Sequence, residues 1–563
     1  MNKKWEFYEK DEEKIKRVQQ EFKISKLLAT VIVNKNLSTK EEIETFLNPT
    51  RNDFHDPYLM PDMNIAVNRI IKAIESKEKV IIYGDYDVDG ITSITVLKKF
   101  LKDRGLEVDE YIPNRLNEGY GLNKNAIEKI VSNNYKLMIT VDCGISGIEE
   151  IEYANSLGLE TIVTDHHEPS DVLPNALAVV DAKRKDNKYP FNQLAGVGVV
   201  FKLIQAIGMK YKLDEKEYLK FLDIVCVGTI SDIVPLVDEN RIIAKLGLML
   251  IKVTKNIGLK TLINTIGYKK IDSSAISFGV APRINACGRM GCEREALNLF
   301  LTEDFTEATE ISKRLNEYNK QRQDTEKRIF EEVLQKIEKN EKDMPCIILA
   351  NENWHHGVIG IVASKITEMY YKPSILICYE GDEGKGSGRS IPGFDLYDAV
   401  SKCDKYIEKF GGHSMAIGIS LKKENFNGFR NDFEQYASKT NVSELVPIIK
   451  IDDEIGIKDM QVNVVNELNI LEPFGEANKM PIFMYRNLKI NSIRALSEGK
   501  HLKMTLKDDN LIIDAIGFNM GNLVQEYCLG EKIDILGNLE INRYNGVETV
   551  QINLRDIRKS YLI

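Results

Sequence analysis

Short β-branched runs alternate with amphipathic stretches between Lys79 and His167, and this alternation constrains the fold more than any other feature of the chain. The runs are KVIIYGD, EVDEYIP, KLMITVDCG and ETIVTDHH, and the stretches between them include SITVLKKFLKDRG, AIEKIVSNN and IEEIEYANSLG. Strands that are apolar throughout and alternate with helices are typical of a parallel sheet covered on both faces. The sequence therefore predicts an α/β domain.

The composition is ordinary for a globular protein and limits the kinds of partner. Of 563 residues, 43% are hydrophobic and 29% are charged, and the net charge is −9. Such a chain does not bind nucleic acid by bulk attraction, so a phosphate-bearing substrate needs a local positive site. The eight cysteines include no CxxC pair, which favours free thiols in a reducing cytoplasm. We expect no signal peptide, and no apolar run approaches the ~18 residues of a membrane span.

The rest of the chain predicts three further parts. Residues 304–340 contain no Gly or Pro, and five of their apolar residues follow a helical period, namely Ile311, Leu315, Ile329, Val333 and Ile337. One or two long connecting helices are therefore expected, followed by a second α/β unit and a β-rich end with an Asn545-Gly546 turn, typical of a small barrel or OB-fold. The predicted domains are 1–303, 304–342, 343–445 and 446–563. The barrel has no charge pattern for nucleic acid, so an inert structural module is its alternative function.

Three aspartates follow the first predicted strand at alternate positions, Asp85, Asp87 and Asp89 in DYDVDG. Like charges this close repel one another unless a positive partner holds them. A calcium loop of the EF-hand type is excluded, because its twelfth position requires a bidentate glutamate and holds Val96, and because the preceding segment predicts a strand.

Two more predicted strands deliver acids and imidazoles to the same edge of the sheet. Asp142 ends one run, and Asp165, His166 and His167 end another. Because ligands bind at the carboxyl ends of parallel strands, these side chains should share one crevice, and Asp232 in GTISDIV would complete the set. Carboxylates and imidazole without thiolate favour Mn²⁺ or Mg²⁺, and the number of acids indicates two ions that serve phosphoester hydrolysis.

Simpler interpretations of the single residues stay open. An aspartate at a strand end is more often a helix cap or a turn residue, which would suffice for Asp165 alone. A lone buried histidine is more often a satisfied core residue than a metal ligand. The combined set is better explained by a metal pair. Asp223 is left out of it, because it lies in the middle of an apolar helical run.

The order of DxDxD, VDCG, TDHH and SD resembles the DHH phosphoesterase family, named for the triplet seen here as Asp165-His166-His167. The longer motifs APRINACGRM, WHHGVIGIVASKI, GSGRSIPGFDLYDAV and GGHSMAIGIS resemble a branch of this family that degrades single-stranded DNA as a 5′→3′ exonuclease. The resemblance runs from about Leu27 to the C-terminus. It implies an α/β fold with a parallel-sheet DHH domain, a smaller α/β DHHA1 domain joined by long helices, and a C-terminal OB-fold barrel.

The resemblance also implies a role for each residue of the acidic motifs. The metal ligands would be Asp87, Asp89, Asp142, His166 and Asp232, with Asp142 as the bridge between two ions. His167 would contact the scissile phosphate or assist catalysis. Many family members carry a histidine four positions before the first DxD aspartate, where this chain has Tyr83. Asp85 would replace that histidine as a ligand, or the first ion would bind more weakly.

A phosphate site is implied by the motif GKGSGRS. By the resemblance, Ser387 and Arg389 together with Arg115 would hold the 5′ phosphate of the strand. The glycines of the motif would let backbone N–H groups approach the phosphate oxygens. The alternative is a glycine-rich turn that joins a strand to a helix.

Three more residues would contact the substrate by the same resemblance. Arg283 and Asn285 in APRINACGR would lie near the scissile phosphate, with a helix-start loop as the alternative. His413, in a predicted turn with Gly411 and Gly412, would close over the strand or serve as a helix C-cap partner.

The function implied is metal-dependent hydrolysis of single-stranded DNA in repair and recombination, by attack of an activated water. A DHH phosphodiesterase for short oligonucleotides or cyclic dinucleotides is one alternative, and an inactive DNA-binding scaffold is another. The implied partners are single-stranded DNA and, through the family only, a single-strand-binding protein and a helicase. We expect a cytoplasmic monomer that does not associate with a membrane.

Overall fold

The computed structural model describes residues 3–115, 118–340, 344–544 and 546–560. Contacts divide the chain into two compact units. The first unit comprises His55–Val234 and Leu246–Pro447, and the second comprises Lys3–Phe54, Pro235–Lys245 and Ile448–Ile563. No helix within the described ranges is long and apolar enough to cross a membrane.

Helices and strands of the described residues alternate from residue 63 to residue 164, whereas helices between residues 196 and 340 follow one another without an intervening strand. The helices are α1 (Glu12–Phe22), α2 (Lys26–Asn34), α3 (Lys40–Leu47), α4 (Met63–Ser76), α5 (Val88–Lys102), α6 (Lys124–Ser132), α7 (Ile148–Ser156), α8 (Gly196–Lys210), α9 (Lys216–Leu219), α10 (Leu222–Ser231), α11 (Asp238–Ile251), α12 (Ile257–Ile266), α13 (Ser273–Ala275), α14 (Ala281–Met290), α15 (Glu293–Leu301), α16 (Phe305–Asn340), α17 (His356–Tyr370), α18 (Leu396–Ser401), α19 (Phe426–Lys439) and α20 (Val462–Leu468). The strands are β1 (Lys4–Phe7), β2 (Val80–Gly84), β3 (Val108–Tyr111), β4 (Leu137–Val141), β5 (Glu160–Thr164), β6 (Ala178–Val180), β7 (Ile347–Asn351), β8 (Ser374–Glu380), β9 (Glu383–Arg389), β10 (Lys409–His413), β11 (Ala416–Lys422), β12 (Ile448–Ile451), β13 (Asp453–Glu454), β14 (Phe483–Leu496), β15 (His501–Asp508), β16 (Leu511–Gly517), β17 (Lys532–Tyr544) and β18 (Val547–Lys559).

The first unit contains a five-stranded parallel sheet, which confirms the prediction from the alternating pattern. The strand order is β3-β2-β4-β5-β6, and all four pairings are parallel. Every residue of β2 and β4 is buried, because helices such as α5, α7 and α8 pack against the sheet. The carboxyl ends of all five strands therefore lie along one edge of the sheet.

A second sheet in the same unit is mixed, with the order β10-β11-β9-β8-β7. Only β7 and β8 run parallel. The turn predicted at Gly411–His413 is wrong, because these residues form edge strand β10, which pairs with β11. Gly412 is required there, since its φ is +145° and a Cβ would lie 2.3 Å from the carbonyl oxygen of Ala416.

One continuous helix, α16, has 36 residues and confirms the expected long connection. At 1.5 Å per residue it is about 54 Å long. Each of the five apolar residues that follow the helical period, from Ile311 to Ile337, is buried. These residues therefore form the packed stripe of an otherwise charged helix.

The second unit is built on a β-barrel, which confirms the predicted C-terminal barrel. Its sheet runs β13-β14-β15-β16-β18-β17, and an additional β14–β17 pairing closes it. Both predicted hairpins, β15–β16 and β17–β18, are present. Gly546 has a φ of +79°, as the predicted turn requires, whereas Asn545 lies outside the described residues.

The N-terminal helices share the apolar core of this barrel. Six consecutive residues of α2, Leu28–Val33, are buried, and Leu28 belongs to the same hydrophobic cluster as Leu502 and Ile552 of the barrel strands. A short parallel pairing of β1 with β12 adds a backbone connection. The second unit is therefore assembled from both ends of the chain, although the bounds of the four predicted domains stay predictions.

Candidate metal centre

The DYDVDG segment joins β2 to α5 and positions three carboxylates at the edge of the parallel sheet. Asp87 is the N-cap of α5, and its Oδ1 accepts a hydrogen bond from Gly90 N at 3.0 Å. Asp89 accepts from Gly196 N at 2.6 Å and from Val197 N at 2.8 Å, at the start of α8. Gly90 is required for this close turn, since a Cβ there would lie 2.3 Å from Asp85 O.

Asp142 follows β4 in a left-handed conformation, with φ +58°. Its N–H donates to Thr164 O at 3.1 Å, which fixes the loop against β5. Gly196 leaves room for the carboxylate, since a Cβ at Gly196 would lie 2.7 Å from Asp142 Oδ1. Strained backbone of this kind is tolerated where the surroundings determine it, and it occurs often at functional sites.

Asp165, His166 and His167 follow β5, and their side chains have different hydrogen-bond partners. Asp165 is fully buried, and its carboxylate accepts from Ile145 N at 2.9 Å, from His166 N at 2.8 Å and from His167 Nδ1 at 2.7 Å. Asp165 therefore orients the loop and His167 rather than facing the other acids. This bonding agrees with leaving Asp165 out of the predicted ligands.

His166 points into the acidic cluster. Its Nε2 lies 3.2 Å from Asp142 Oδ1, 3.7 Å from Asp232 Oδ2 and 3.8 Å from Asp89 Oδ2. Asp232 comes from the C-cap of α10, so three separate segments converge on one imidazole. The sheet edge thus brings together the strand-end residues that the sequence singles out.

Three groups of side chains could each hold a metal ion, because within each group the ligand atoms lie within 4.8 Å of one another. The groups are Asp85–Asp87–Asp142, Asp89–His166–Asp232 and Asp142–His166–His167. Asp142 and His166 each belong to two groups, so the groups overlap. Two adjacent cations that share a carboxylate would suit this overlap.

Hydrogen bonding within the cluster is incomplete, which tests whether a cation fits. Asp85 Oδ1, Asp142 Oδ1 and His166 Nε2 are buried and have no hydrogen-bond partner among the described residues. A buried polar atom without a partner costs about 1–3 kcal/mol. Because the three atoms are two carboxylate oxygens and one imidazole nitrogen, they suit divalent cations of the Mn²⁺ or Mg²⁺ type.

Electrostatics support the same interpretation. Burial, followed by the charge of Asp87, raises the pKa of Asp89 to about 7. Burial and the neighbouring carboxylates also raise the pKa values of Asp85, Asp142 and Asp232 well above their usual range. Without positive charge these acids repel one another, whereas a divalent cation would favour their ionised forms.

The two histidines differ in charge because their surroundings differ. Burial, and then the charge of His167, lowers the pKa of His166 to about 3, so this imidazole is neutral. Burial also disfavours charge on His167, but its hydrogen bond to Asp165 outweighs this and raises the pKa to about 9. A neutral imidazole is the form that ligates metals, and a charged one donates hydrogen bonds to anions.

Tyr83 does not substitute for a metal-binding histidine. Its hydroxyl donates to Gly121 O at 2.9 Å, and its ring stacks on Tyr111 at 5.2 Å, within an apolar cluster. Tyr120, which sequence analysis missed, lies closer to the centre, with its hydroxyl 3.2 Å from His167 Nδ1. No sequence motif distinguishes Tyr120, since only the fold brings its segment to the sheet edge.

A group of arginines and a serine lies in the same unit. Arg389 donates to Ser387 Oγ at 3.1 Å and to Gly388 O at 2.7 Å. The guanidinium of Arg115 lies 5.0 Å from the ring centre of Tyr86. Burial and the nearby charge of Arg115 lower the pKa of Arg389, and Arg389 makes no ion pair within 4.0 Å in the part of the chain that the structure describes.

Arg289 joins this arginine group and was missed from the sequence. It donates to Gly357 O at 2.7 Å. Burial, then the charges of Arg115, Arg322 and Arg389, lower its pKa to about 10. A signal was available, because Asn285 and Arg289 are spaced i, i+4 on α14 and so share one face of that helix.

The glycines around Ser387 pack against side chains of the two neighbouring strands instead of forming a turn. They lie in β9, a central strand between β8 and β11, so its backbone N–H groups pair with the sheet. A Cβ at Gly386 would lie 2.7 Å from Ile419, and one at Gly388 would lie 2.8 Å from Ile417. The turn alternative is wrong, and a ligand here would meet the side chains of β9 rather than its amides.

The other predicted substrate contacts fall in different places. Asn285 Oδ1 accepts from Val88 N at 3.2 Å, so α14 is bonded to the acidic loop. Arg283, two residues earlier, donates to Gly279 O at 2.8 Å and to Asn316 Oδ1 at 3.0 Å, on the opposite side of the helix. His413 is exposed at the end of β10. The roles of these residues stay predictions.

Known proteins resemble the chain over almost its whole length. Family models match residues 79–229 as the DHH family N-terminal domain, 343–439 as the DHHA1 domain and 451–556 as the RecJ OB domain. The single-stranded-DNA-specific exonuclease RecJ of Bacillus subtilis is 38% identical over 98% of this chain and 70% of that protein. The exonuclease of the same name from Haemophilus influenzae is 32% identical over 90% of this chain and 92% of that protein.

Solved structures of the same family also resemble this chain. RecJ from Thermus thermophilus in complex with Mn²⁺ matches with a TM-score of 0.87 and 28% identity, over 100% of this chain and 80% of that one. The Mg²⁺ complex of the same protein matches with a TM-score of 0.81 and 27% identity, over 99% and 79%. Both neighbours thus contain a divalent metal of the type that suits the Asp/His groups described above.

Proposed function

The chain belongs to the RecJ family of single-stranded-DNA-specific exonucleases, within the DHH family, and from this premise we propose that it hydrolyses single-stranded DNA from the 5′ end to mononucleotides. One observation carries the proposal. Overlapping Asp/His groups with three unpartnered buried atoms lie in the same compact unit as the arginine–serine group, within the part of the chain that the structure describes.

Two divalent cations, Mn²⁺ or Mg²⁺, would be held by six residues. Asp85, Asp87 and Asp142 would hold one, and Asp89, His166 and Asp232 the other, with Asp142 shared between them. When bound, such a pair lowers the pKa of a water molecule and stabilises the charge that develops on the phosphate. Incomplete hydrogen bonding of the ligand atoms supports this assignment.

His167 would act on the substrate rather than on the metals. Its hydrogen bond to Asp165 favours the protonated form, since in the metal-free site that bond raises the pKa of His167. A charged imidazole at this position can donate to a non-bridging phosphate oxygen and so stabilise negative charge during hydrolysis. Asp165 would position His167 by holding its Nδ1.

The arginine group would bind the 5′-terminal phosphate. Arg115, Ser387 and Arg389 lie together with Arg289, and the half-buried Arg389 makes no ion pair within 4.0 Å among the described residues. A dianionic phosphate would supply the opposite charge and would accept several charge-assisted hydrogen bonds. A terminal phosphate held at a fixed distance from the metals would make each cut release one nucleotide. An unpaired strand would thread between the two α/β domains of this unit, whereas a duplex would not fit.

The direct test follows the fate of long single strands labelled at either end. In the presence of Mn²⁺, we expect a 5′ label to appear at once as a mononucleotide, while a 3′ label stays on a shortening strand. Chelation with EDTA should stop both reactions. Release of the 3′ label first would contradict the direction proposed here.

The same experiment separates the two alternative functions. A phosphodiesterase for short oligonucleotides or cyclic dinucleotides would cleave dinucleotides and spare the long strand. An inactive scaffold would bind the strand without metal-dependent turnover. The buried acids and the neutral imidazole favour an active enzyme, because a scaffold has no need of them.

Single-stranded DNA is therefore the substrate that we assign to the protein. We further propose that it acts as a monomer in the cytoplasm, with a single-strand-binding protein and a helicase as partners suggested by the family. Sedimentation of the purified chain with and without each partner would test these proposals.

A further inference from the structure

A cavity of about 520 Å³ lies within the second unit and contains none of the metal-centre residues. Its walls come from the end of α2 and the two residues that follow it, from β12 and from the loop that precedes β14. The volume falls in the range of about 300–1,000 Å³ that is usual for ligand sites. Lysines, carboxylates and asparagine amides stand beside a few aliphatic side chains in the lining, which suits a small polar ligand.

One lysine of this cavity is held in place without a counter-charge. Lys35 is the C-cap of α2, and its side chain is half-buried in the wall of the cavity. Its Nζ donates to Lys479 O at 3.3 Å. Lys35 makes no ion pair within 4.0 Å in the part of the chain that the structure describes. Because an ammonium group has three donors, this single bond orients the amine without satisfying it.

The other lysines of the lining are paired with carboxylates. Lys450 Nζ lies 2.6 Å from Glu6, and Lys479 Nζ lies 3.9 Å from Glu476. A nearby carboxylate favours the charged form of an amine, so these two side chains remain cations. The side chain of Lys479 is 78% exposed, and an anion in solution can therefore reach it.

Asp452 also lines the cavity, but its carboxylate is bonded to the wall. It accepts from Asn34 Nδ2 at 3.1 Å and from Ile482 N at 2.9 Å. Burial lowers the pKa of Lys35 to about 8, with the charge of Asp452 opposing this shift and the charge of Arg241 adding to it. At about pH 7.5 roughly one quarter of Lys35 is then neutral, against about one in a thousand for a lysine of ordinary pKa. The cavity therefore presents a nucleophilic amine near neutral pH.

We propose that Lys35 is an acylation site, modified by direct reaction with acyl phosphates that enter this cavity. An acyl phosphate combines an electrophilic carbonyl carbon with an anionic leaving group, and the cavity offers one amine beside two exposed cations. The side-chain amide of Asn36, which is also part of the lining, can donate to the carbonyl oxygen. The proposal does not depend on the nuclease assignment, because it uses residues of the second unit alone.

The reaction is an acyl transfer to nitrogen, and it needs no further reactant. The lone pair of the neutral Nζ attacks the carbonyl carbon, so that a C–N bond forms and the bond from carbon to the phosphate oxygen breaks. Inorganic phosphate leaves with the electron pair, and the proton lost from Nζ passes to solvent. The amide product keeps one N–H that can still donate to Lys479 O, whereas the positive charge facing Asp452 is lost.

The test incubates the folded full chain with acetyl phosphate at about pH 7.5 and follows the acetylation of each lysine by peptide mass spectrometry. Lys23 is the internal control, an exposed lysine of the same unit without an ion pair among the described residues. We expect Lys35 to react at least about tenfold faster than Lys23, since its lower intrinsic nucleophilicity offsets only part of its larger neutral fraction. In about 8 M urea the two rates should become equal. Equal rates in the folded protein would overturn the proposal.

The pH dependence distinguishes a nucleophilic lysine from one that is merely accessible. The rate at Lys35 should level off above about pH 8, whereas the rate at Lys23 should keep rising towards pH 10. Rates that rise in parallel would contradict the proposal. The charged and titratable groups around Lys35 are Tyr8, Arg241, Lys450, Asp452, Glu476 and Lys479.

A comparison of reagents tests the role of the phosphate group. Lys479→Gln should slow the acetylation of Lys35 by acetyl phosphate at least about threefold at low salt, and should change labelling by the neutral ester p-nitrophenyl acetate by less than about 1.5-fold. Lys458→Gln, at an exposed lysine of the same unit outside the lining, is the matched control and should leave both rates unchanged. Equal slowing with both reagents in Lys479→Gln, or acetylation by acetyl-coenzyme A as fast as by acetyl phosphate, would exclude acyl phosphates as the preferred reagent and overturn the proposal.

Discussion

Removing Arg389 should impair the recognition of a 5′-phosphorylated end more than it impairs hydrolysis itself. The guanidinium of Arg389 bonds Ser387 Oγ and Gly388 O, and it is held among other arginines at the cost of a lowered pKa. A terminal phosphate would be the missing counter-charge. Arg389→Ala therefore removes a contact that a 5′-phosphate strand makes and a 5′-hydroxyl strand lacks.

The expected size of the effect follows from the hydrogen bonds involved. A hydrogen bond to a charged group contributes about 1.5–3 kcal/mol, and the upper part of this range applies because Arg389 is half-buried and can donate two of them. A loss of about 2–3 kcal/mol corresponds to a decrease of about 30- to 150-fold in kcat/KM on the 5′-phosphate strand. On the 5′-hydroxyl strand the decrease should stay within about threefold.

The assay measures initial rates of mononucleotide release from two strands that differ only at the 5′ end. Arg389→Lys keeps the charge without the planar fork and should fall between the parent and the alanine variant. Lys402→Gln, a change of an exposed lysine at the C-cap of α18, serves as the control and should leave both rates unchanged. An equal loss on both strands in Arg389→Ala would refute the reasoning, because the arginine would then act on the reaction or on the fold.

Four further predictions concern the metal centre, the second sheet and the second unit. Asp142→Asn should lower turnover by at least about 10³-fold while sparing DNA binding, and normal Mn²⁺-dependent activity in that variant would exclude the ligand assignment. Gly388→Val should reduce Tm by several degrees in a thermal melt, because a Cβ there would lie 2.8 Å from Ile417. Arg241→Ala should destabilise the protein by about 3–5 kcal/mol in urea unfolding, because Arg241 is buried and donates to the carbonyls of Phe46, Leu471 and Glu472. Burial, and then the charge of Arg241, lowers the pKa of Lys245 to about 8. Above pH 8 the unfolded chain therefore binds more protons than the folded one, and the free energy of unfolding should rise from pH 8 towards 10. Lys245→Met should reduce that rise.

The parallel sheet and its acidic edge could be predicted from the sequence, because both depend on local patterns. Strands β2, β4 and β5 are rich in β-branched residues and are buried except at Glu160, and each is followed at once by Asp85, Asp142 or Asp165. The rule that carboxyl ends of parallel strands share an edge then places distant residues together without further knowledge. That rule places Asp142 beside His166, whereas Asp232 reaches the same imidazole from the C-cap of α10.

Features that depend on contacts between distant segments could not be predicted in this way. Helix α2 is largely apolar, and nothing in its own sequence shows that its partner is the barrel more than 400 residues later. The spacing of Arg289 from Asn285 is visible in the sequence, but its neighbours in the arginine group are not, because they depend on the packing of α14 against α17. Long-range partners of this kind are set by packing and not by periodicity.

The motif GKGSGRS was singled out correctly, but its glycines serve strand packing and not the binding of a phosphate by backbone amides. Glycine is compatible with two different needs, an exposed amide that binds a ligand or a strand that approaches its neighbours closely. In this chain the second need decides, because Gly386 and Gly388 face isoleucines while Ser387 and Arg389 project from the other face of β9. A central strand restrains those two side chains more tightly than a loop would, since both of its edges are bonded. The rigidity of the proposed phosphate site therefore comes from the sheet, and the glycines are needed to let the sheet form beneath it.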